Sequence, residues 1–294
     1  MRPFPLYRPA SFRLADWLTA RLPAAVPRTL ARGVTEAAYW LAPNFRRNVQ
    51  ENLGHLFPDD PSRVRSLARQ TFHNYGLQLM EYSQCAHMAD GGLLRMAAAV
   101  VGTQHVDRAL QRGKGAIVIT AHFGNWELGG LLFAQQGYPL NAITLEEHID
   151  RLTEMREQYR TRHGIRTIRI GRSPFSFIDV MDALRRNEIV AMLIERPVPS
   201  AAVDVEFFGE PAPFSSGPVI LAMATEATIL PAFVWRESDG RYHAEITEPV
   251  ELDLLTDREN TIRHNTQKIA RVFEAVIREH PDQWYNFVPI WRKP

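Results

Sequence analysis

Two short runs of apolar residues, AIVIT at 116–120 and IVAMLI at 189–194, constrain the fold of this chain more than any other feature. Neither run alternates with polar residues, so each predicts a strand that is buried on both faces, as in parallel sheets. Helix-like stretches separate such runs from residue 103 to the C-terminus. This alternation of strands and helices predicts an α/β fold with a mostly parallel or mixed central sheet and helices on both faces, in which the late strands can be antiparallel.

The region before residue 103 has a different pattern of apolar and charged residues. Residues 10–42 indicate one or two amphipathic helices rich in arginine and broken near Pro23 and Pro27. Their apolar face fits two interpretations, which are contact with a membrane surface and packing on the protein's own core. We predict a helical, membrane-facing region at 1–102 that packs on an α/β core at 103–294, the whole forming one continuous domain.

The charge distribution predicts anionic partners. The net charge is only +1, but residues 1–50 contain eight arginines against Asp16 and Glu36, and residues 151–172 contain seven against Glu154 and Glu157. No signal peptide or run of about 20 apolar residues is present. We therefore expect a peripheral protein on an anionic membrane, at the cytoplasmic face of the inner (cell) membrane, and no nucleic-acid partner.

Three histidines have an acidic residue five positions later, and about one such pair is expected by chance. They are His55 with Asp60, His122 with Glu127, and His243 with Glu248. The first pair falls at a helix end and in a turn. The third lies on a predicted strand, where a separation of five places the side chains on opposite faces. Only the second pair remains a candidate site.

His122 follows the AIVIT strand by two residues, where ligands bind in open α/β sheets. On a continuous helix Glu127 would point about 140° away from His122, so the histidine has to precede the helix in a turn. Gly124 permits that turn and Asn125 suits the N-cap. We predict that Glu127 then orients the imidazole of His122, which would act as a general base.

Other catalytic classes lack their motifs. The chain has no G-x-S-x-G elbow, no H-E-x-x-H zinc motif and no dinucleotide-binding glycine pattern after a strand. Its one cysteine, Cys85, has no partner for a disulfide or a zinc site. The base is therefore expected to activate a substrate hydroxyl directly, with no metal and no cofactor.

Several separated motifs together resemble one family. AHFGNWELGG at 121–130, RRNVQENLGHLFPDD at 46–60 and PDQWYNFVPIWR at 281–292 are similar to the bacterial lipid A biosynthesis acyltransferases and their mycobacterial phosphatidylinositol mannoside relatives. This H-x4-D/E superfamily implies transfer of a fatty acyl chain from an acyl-ACP or acyl-CoA thioester to a hydroxyl of a lipid or glycolipid such as a lipid A precursor. The co-substrate is then the thioester, and no covalent acyl-enzyme forms.

The resemblance also implies residue roles. His122 matches the family's base and Glu127 its partner, while Glu195 and Arg196 in IERP stand where relatives have an acid followed by a basic or amide residue. The resemblance implies that Glu146 (or Glu147), Arg160, Glu195 and Arg196 bind substrate, and from the turn and from the glycine loop we add Gly124, Asn125 and Gly209 as substrate-binding candidates. The segment around Gly209 is equally explained as a loop before a helix. Two alternatives stay open, an acyl-thioester hydrolase and a catalytically silent lipid-binding protein of the same fold.

Overall fold

The computed structural model describes residues 9–22, 25–86, 92–145, 150–171 and 176–291. Within these ranges the helices are α1 (Pro9–Arg21), α2 (Ala25–Leu41), α3 (Pro43–Leu56), α4 (Pro61–Ala86), α5 (Gly92–Met96), α6 (Thr103–Gln111), α7 (Trp126–Gln135), α8 (Asp150–Arg162), α9 (Ser176–Arg185), α10 (Gly217–Thr225) and α11 (Arg258–Glu279). The strands are β1 (Ala97–Val101), β2 (Ala116–Thr120), β3 (Leu140–Leu145), β4 (Arg166–Ile170), β5 (Ile189–Leu193), β6 (Ala202–Phe207), β7 (Glu210–Ser215), β8 (Thr228–Arg236) and β9 (Tyr242–Ile246).

Seven of these strands form one sheet in the order β1-β9-β8-β2-β5-β3-β4. The two apolar runs of the sequence are the neighbouring strands β2 and β5, and β2 lies at the centre. The pairs β2–β5, β2–β8, β3–β5 and β3–β4 are parallel, whereas β9 runs antiparallel to β8. The predicted α/β class, with antiparallel pairing among the late strands, is confirmed.

One strand arises in the region predicted to be helical. Residues 97–101, AAAVV, form β1 and extend the sheet by parallel pairing with β9. Its two valines are β-branched and suit a strand, and the strand is buried only in part. The sheet therefore begins at Ala97, whereas we expected the α/β core to begin at residue 103.

Helices cover both faces of the sheet, and alternate residues of β2 show how. Ile117 and Ile119 belong to the core beneath α9, α10 and α11, while Ala116 and Val118 belong to the core beneath α6, α7 and α8. Because side chains alternate along a strand, both sets are fully buried or nearly so. This burial explains the absence of a polar alternation in the AIVIT run.

The N-terminal helices pack on α4, a helix of 26 residues that contacts α1, α2 and α3. Ala15, Leu18, Ala31 and Tyr39 are buried on the inner side of α1 and α2. Their outer side exposes large apolar residues: Leu14, Trp17, Val26, Leu30, Val34, Trp40 and Leu41. The inner side therefore packs on the protein's own core, and the outer side exposes apolar residues that fit contact with a membrane surface. No helix in the described ranges is long and apolar enough to cross a membrane.

Candidate active site

The chain leaves β2 through a tight turn that carries His122 and ends at the start of α7. Gly124 has a φ of +54°, and a Cβ there would lie 1.7 Å from the carbonyl oxygen of Val234, so only glycine fits. The side chain of Asn125 accepts a hydrogen bond of 3.0 Å from the backbone N–H of Leu128 and caps α7. The turn and the cap are those predicted from the sequence.

The C-terminal segment, residues 281–291, holds the backbone of this turn. The N–H of Tyr285 donates to the carbonyl of His122 at 2.7 Å, and the N–H of Gly124 donates to the carbonyl of Gln283 at 2.8 Å. On the other side of the segment, Asn52 of α3 donates to the carbonyls of Asn286 and Val288. The position of His122 is thus fixed by hydrogen bonds that also reach the N-terminal helices.

The imidazole of His122 pairs with Glu195. Nδ1 of His122 lies 2.7 Å from Oε1 of Glu195, and the same oxygen accepts the backbone N–H of His122 at 2.7 Å. The strand register explains the contact, because Thr120 of β2 pairs with Leu193 of β5 and each functional residue follows two positions later. Two residues 73 positions apart in the sequence therefore lie opposite each other.

Glu127 makes a different contact from the one we predicted. Its Oε1 lies 2.6 Å from Nη2 of Arg160, and its Oε2 accepts from Nε of Arg160 at 3.1 Å. Nη1 of Arg160 also donates to Thr144 at the end of β3, at 2.6 Å. The physical reason is that Glu127 is in the first turn of α7 and faces α8, whereas Nδ1 of His122 is directed across the sheet edge at β5. The predicted contact between Glu127 and His122 is corrected accordingly, because the carboxylate that contacts His122 is that of Glu195.

The charges around His122 favour a neutral imidazole beside an ionised carboxylate. Burial opposes ionisation of Glu195, but the hydrogen bonds that it accepts from His122 and the positive charge of Arg196 lower the pKa of Glu195 below its ordinary value. Burial and the positive charge of Arg196 lower the pKa of His122 below its ordinary value of 6.5. With Nδ1–H donated to Glu195, Nε2 is left as the proton acceptor, on a side chain that is 26% exposed.

Arg196 lies beside this pair and is anchored to the C-terminal segment. Its Nη2 donates to the carbonyl of Tyr285 at 2.7 Å, and its Nε donates to the side-chain oxygen of Asn286. Asn286 was missed from the sequence, although an asparagine within a run of large apolar residues was a possible signal. Asn286 is 1% exposed and holds the guanidinium next to Glu195.

Arg160 and Glu127 form a buried ion pair behind the turn, each with a side chain that is 8% exposed. Burial opposes ionisation of Glu127, yet Arg160 lowers its pKa, and Glu127 in turn raises the pKa of Arg160. A further residue missed from the sequence is Arg156, one turn earlier on α8. Its positive charge lowers the pKa of both His122 and Glu127. The basic zone at 151–172 therefore contributes charge to this site.

Two further predicted site residues are Glu146 and Gly209. Glu146 lies outside the described residues. Gly209 has a φ of +83° in the two-residue turn between β6 and β7, a conformation that such hairpins require. That turn packs on α11, because the N–H of Phe208 donates to Glu274 and the guanidinium of Arg278 covers the ring of Phe208. The structure therefore gives Gly209 a place in a hairpin and none among the contacts of His122.

An apolar cavity lies between α7 and the sheet. It reaches from Trp126, whose ring centroid is 5.4 Å from that of His122, to Gln136 just beyond the last turn of α7. Its volume is about 80 Å³. Its lining includes Val118, Ala142, Ala191, Ala232, Leu132 and Phe133. The lining residues thus span the length of α7, a helix of ten residues that is about 15 Å long.

Among the described residues no three acidic, histidine or cysteine side chains gather in a way that could hold a metal ion. The described residues bring several groups together at this site. These are the neutral imidazole of His122 with the carboxylate of Glu195, the nearby arginines Arg156 and Arg196, and the adjoining apolar cavity.

The chain matches the family model described as bacterial lipid A biosynthesis acyltransferase over residues 13–293. It is 28% identical to a phosphatidylinositol mannoside acyltransferase of Mycobacterium tuberculosis (strain CDC 1551 / Oshkosh) over 284 residues, which cover 94% of this chain and 86% of the relative. It is also 28% identical to the protein of the same name from Mycolicibacterium smegmatis, with 94% and 89% covered. It is 24% identical to the lipid A biosynthesis lauroyltransferase of Escherichia coli (strain K12), with 91% and 86% covered. A match across nearly the whole chain establishes that this protein belongs to the bacterial lipid A biosynthesis acyltransferase family and is an acyltransferase.

Proposed function

We propose that the protein transfers a fatty acyl chain from an acyl carrier protein or coenzyme A thioester to a hydroxyl of a membrane glycolipid. The observation that carries this proposal is the pair of His122 and Glu195, with Nδ1 2.7 Å from Oε1, beside the end of an apolar cavity. The pair supplies a general base, and the cavity supplies space for an alkyl chain. Both are needed when a lipid hydroxyl attacks an acyl thioester.

The proposed reaction is a direct transfer. Nε2 of His122 takes the proton of the acceptor hydroxyl as its oxygen attacks the thioester carbonyl, and the charge of Glu195 stabilises the imidazolium that forms. The tetrahedral intermediate then collapses with cleavage of the carbon–sulfur bond. The departing thiolate takes the proton from Nε2, which returns His122 to its neutral state. The products are the acylated lipid and the free thiol.

The relatives support a glycolipid as acceptor. Those that are 28% identical are named phosphatidylinositol mannoside acyltransferases, and the one that is 24% identical is named a lipid A lauroyltransferase. These acceptor classes share sugar hydroxyls and negatively charged groups. Arg156 and Arg196 place positive charge next to His122, which suits an anionic acceptor or donor. We therefore assign the acceptor class as an anionic glycolipid.

Acceptor-dependent turnover tests this assignment. Purified protein is supplied with dodecanoyl-CoA or dodecanoyl-ACP and either phosphatidylinositol mannoside or a lipid A precursor, and thiol release and acylated lipid are measured. We expect thiol release that depends on the acceptor, with matching lipid product by mass spectrometry. Fatty acid released equally without acceptor would identify a hydrolase, and a covalent acyl-enzyme in the intact mass would exclude direct attack. Lipid binding without turnover would indicate a catalytically silent protein.

We also propose that the outer side of α1 and α2 lies on an anionic membrane. Its large apolar residues, among them Trp17, Leu30 and Trp40, are between 42% and 82% exposed. The exposed arginines Arg13, Arg21, Arg28 and Arg32 lie on the same two helices. Apolar and aromatic side chains together with basic ones are the combination that binds at the headgroup level of anionic bilayers. The acceptor would thus be reached from the membrane surface.

A double substitution tests the membrane contact. Trp17→Glu with Leu30→Glu should lower the affinity for phosphatidylglycerol-containing vesicles by roughly tenfold or more, since two apolar contacts are lost and two repulsive charges gained. Vesicle co-sedimentation at low and high salt measures it. The matched control is Leu254→Glu, at a residue that is 75% exposed but lies before α11. Equal binding of the double variant and the control would refute this orientation.

A further inference from the structure

Two consecutive glycines, Gly129 and Gly130, lie in the middle of α7, and both line the apolar cavity. Glycine disfavours a helix interior relative to alanine, because it loses more backbone freedom on folding. A pair of glycines in a helix of ten residues therefore needs a reason. The turn before α7 does not supply one, because both residues come after the first helical turn.

Close packing accounts for one glycine only. A Cβ on Gly129 would lie 3.0 Å from Cγ2 of Val234, so α7 approaches β8 closely at that point. A Cβ on Gly130 would meet Cδ1 of Ile165 and Cδ2 of Leu140 at 3.6 Å, which is ordinary van der Waals contact. Alanine therefore fits at 130 without displacing a neighbour, and packing gives no reason to exclude it.

A side chain added at residue 130 would occupy part of the cavity. Ile165 and Leu140, the neighbours of the missing Cβ, are both cavity-lining residues. Ala142 of β3 and Ala191 of β5, which are register partners, also line the cavity and contribute little side-chain volume to it. Glycine at position 130 therefore leaves space in the cavity that a larger side chain would fill.

We propose that the absence of a side chain at Gly130 sets the length of the acyl chain that the enzyme accepts. This proposal rests on the proposed function, in which the cavity receives the acyl chain. Residue 130 lies four positions after Trp126, about 6 Å along a helix of about 15 Å. A side chain there closes the channel partway and leaves room for a short acyl group, while Gly129 keeps α7 close to β8.

Two substitutions and a series of donors test the proposal. Gly130→Ala and Gly130→Leu are compared with the wild type on octanoyl-, dodecanoyl- and hexadecanoyl-CoA with the same acceptor. We expect kcat/KM for the two longer donors to fall roughly tenfold in Gly130→Ala and further in Gly130→Leu, since single methylenes in apolar pockets discriminate by about 10–200-fold. The value for octanoyl-CoA should stay within about threefold of the wild type in Gly130→Ala.

The matched control is Gly54→Ala in the interior of α3, where an added Cβ has no heavy atom within 4 Å. It makes the same change in helix propensity without touching the cavity, so the preference among donors should not move. If Gly130→Leu does not fold, Gly130→Ala alone tests the proposal. The thermal stability of Gly130→Ala should equal or exceed that of the wild type. An equal change for all three donors, or no change, overturns the proposal.

A binding measurement separates this proposal from the proposed function. Non-hydrolysable S-octyl, S-dodecyl and S-hexadecyl thioethers of coenzyme A are titrated into both proteins by calorimetry. The proposal predicts that Gly130→Ala weakens the two longer ligands selectively, whether or not any acceptor is turned over. Absent turnover with this selective weakening would reject the transfer reaction alone. Equal affinities of the variant and the wild type for every ligand would reject the role of Gly130 alone.

Discussion

Replacing His122 with alanine is expected to lower acceptor-dependent acyl transfer by about 10²–10⁴-fold, the range that a positioned general base supplies. The loss should fall on kcat, because the imidazole acts on the hydroxyl proton as the carbon–oxygen bond forms. The measurement is initial thiol release at saturating donor, with the product checked by mass spectrometry. Near-normal turnover would refute His122 as the base.

The control for this variant is His264→Ala. His264 is an exposed histidine on α11 that pairs with Asp253 at 2.8 Å, and its loss should leave turnover unchanged. Glu195→Gln then tests which acid orients the base. It keeps the shape of the side chain but removes the charge that holds the Nδ1–H tautomer, so we expect a loss in kcat of at least about 10²-fold with little loss of folding. An unaffected Glu195→Gln variant would contradict the observed pairing.

The second large effect is expected on stability, at the buried pair of Glu127 and Arg160. Arg160→Met should lower the free energy of unfolding by about 3–5 kcal/mol, because it leaves the Glu127 carboxylate buried without its partner. Glu127→Met should cost a similar amount. The double variant should regain most of the loss, since two apolar side chains of similar size replace two compensated charges. Urea unfolding of the three variants measures the effect.

The exposed pair of Arg169 and Glu157 on the same side of the sheet is the matched control. Both side chains remain partly in water, so Arg169→Met should cost at most about 1 kcal/mol. The pH at which kcat/KM falls on the acid side should be the same in the double variant as in the wild type. The reason is that Arg196, Glu195 and Arg156, the charged residues that act most on the pKa of His122, all remain in this variant. Additive losses in the double variant would contradict the ion-pair account.

The local part of the site could be predicted from the sequence because local geometry determines it. A buried strand followed by His122, Gly124 and Asn125 specifies a strand, a turn and a capped helix, and each has a direct physical signature. The order of the strands has no such signature. That β5 lies next to β2, with β3 on its far side, depends on the packing of the whole sheet.

The error on Glu127 follows from that limit. A separation of five positions made Glu127 the nearest acid along the chain, but the acid nearest in space lies 73 positions further on. The identity of Glu195 was available only through the family resemblance, since its contact requires both the neighbouring strands and their register. Gly209 shows a different kind of error. We interpreted this glycine as part of a ligand-binding site, whereas the positive φ of a hairpin turn explains it.

The pairing of Thr120 with Leu193 also makes enzymatic activity a reporter of folding. No unfolded or partly helical chain can bring His122 and Glu195 together, because their contact closes a long loop and requires β2 and β5 to be in register. Contacts of such large sequence separation form slowly and only after the entropy of loop closure has been overcome. During refolding, recovered turnover would therefore mark the completion of the central sheet, after the helical signal has already returned.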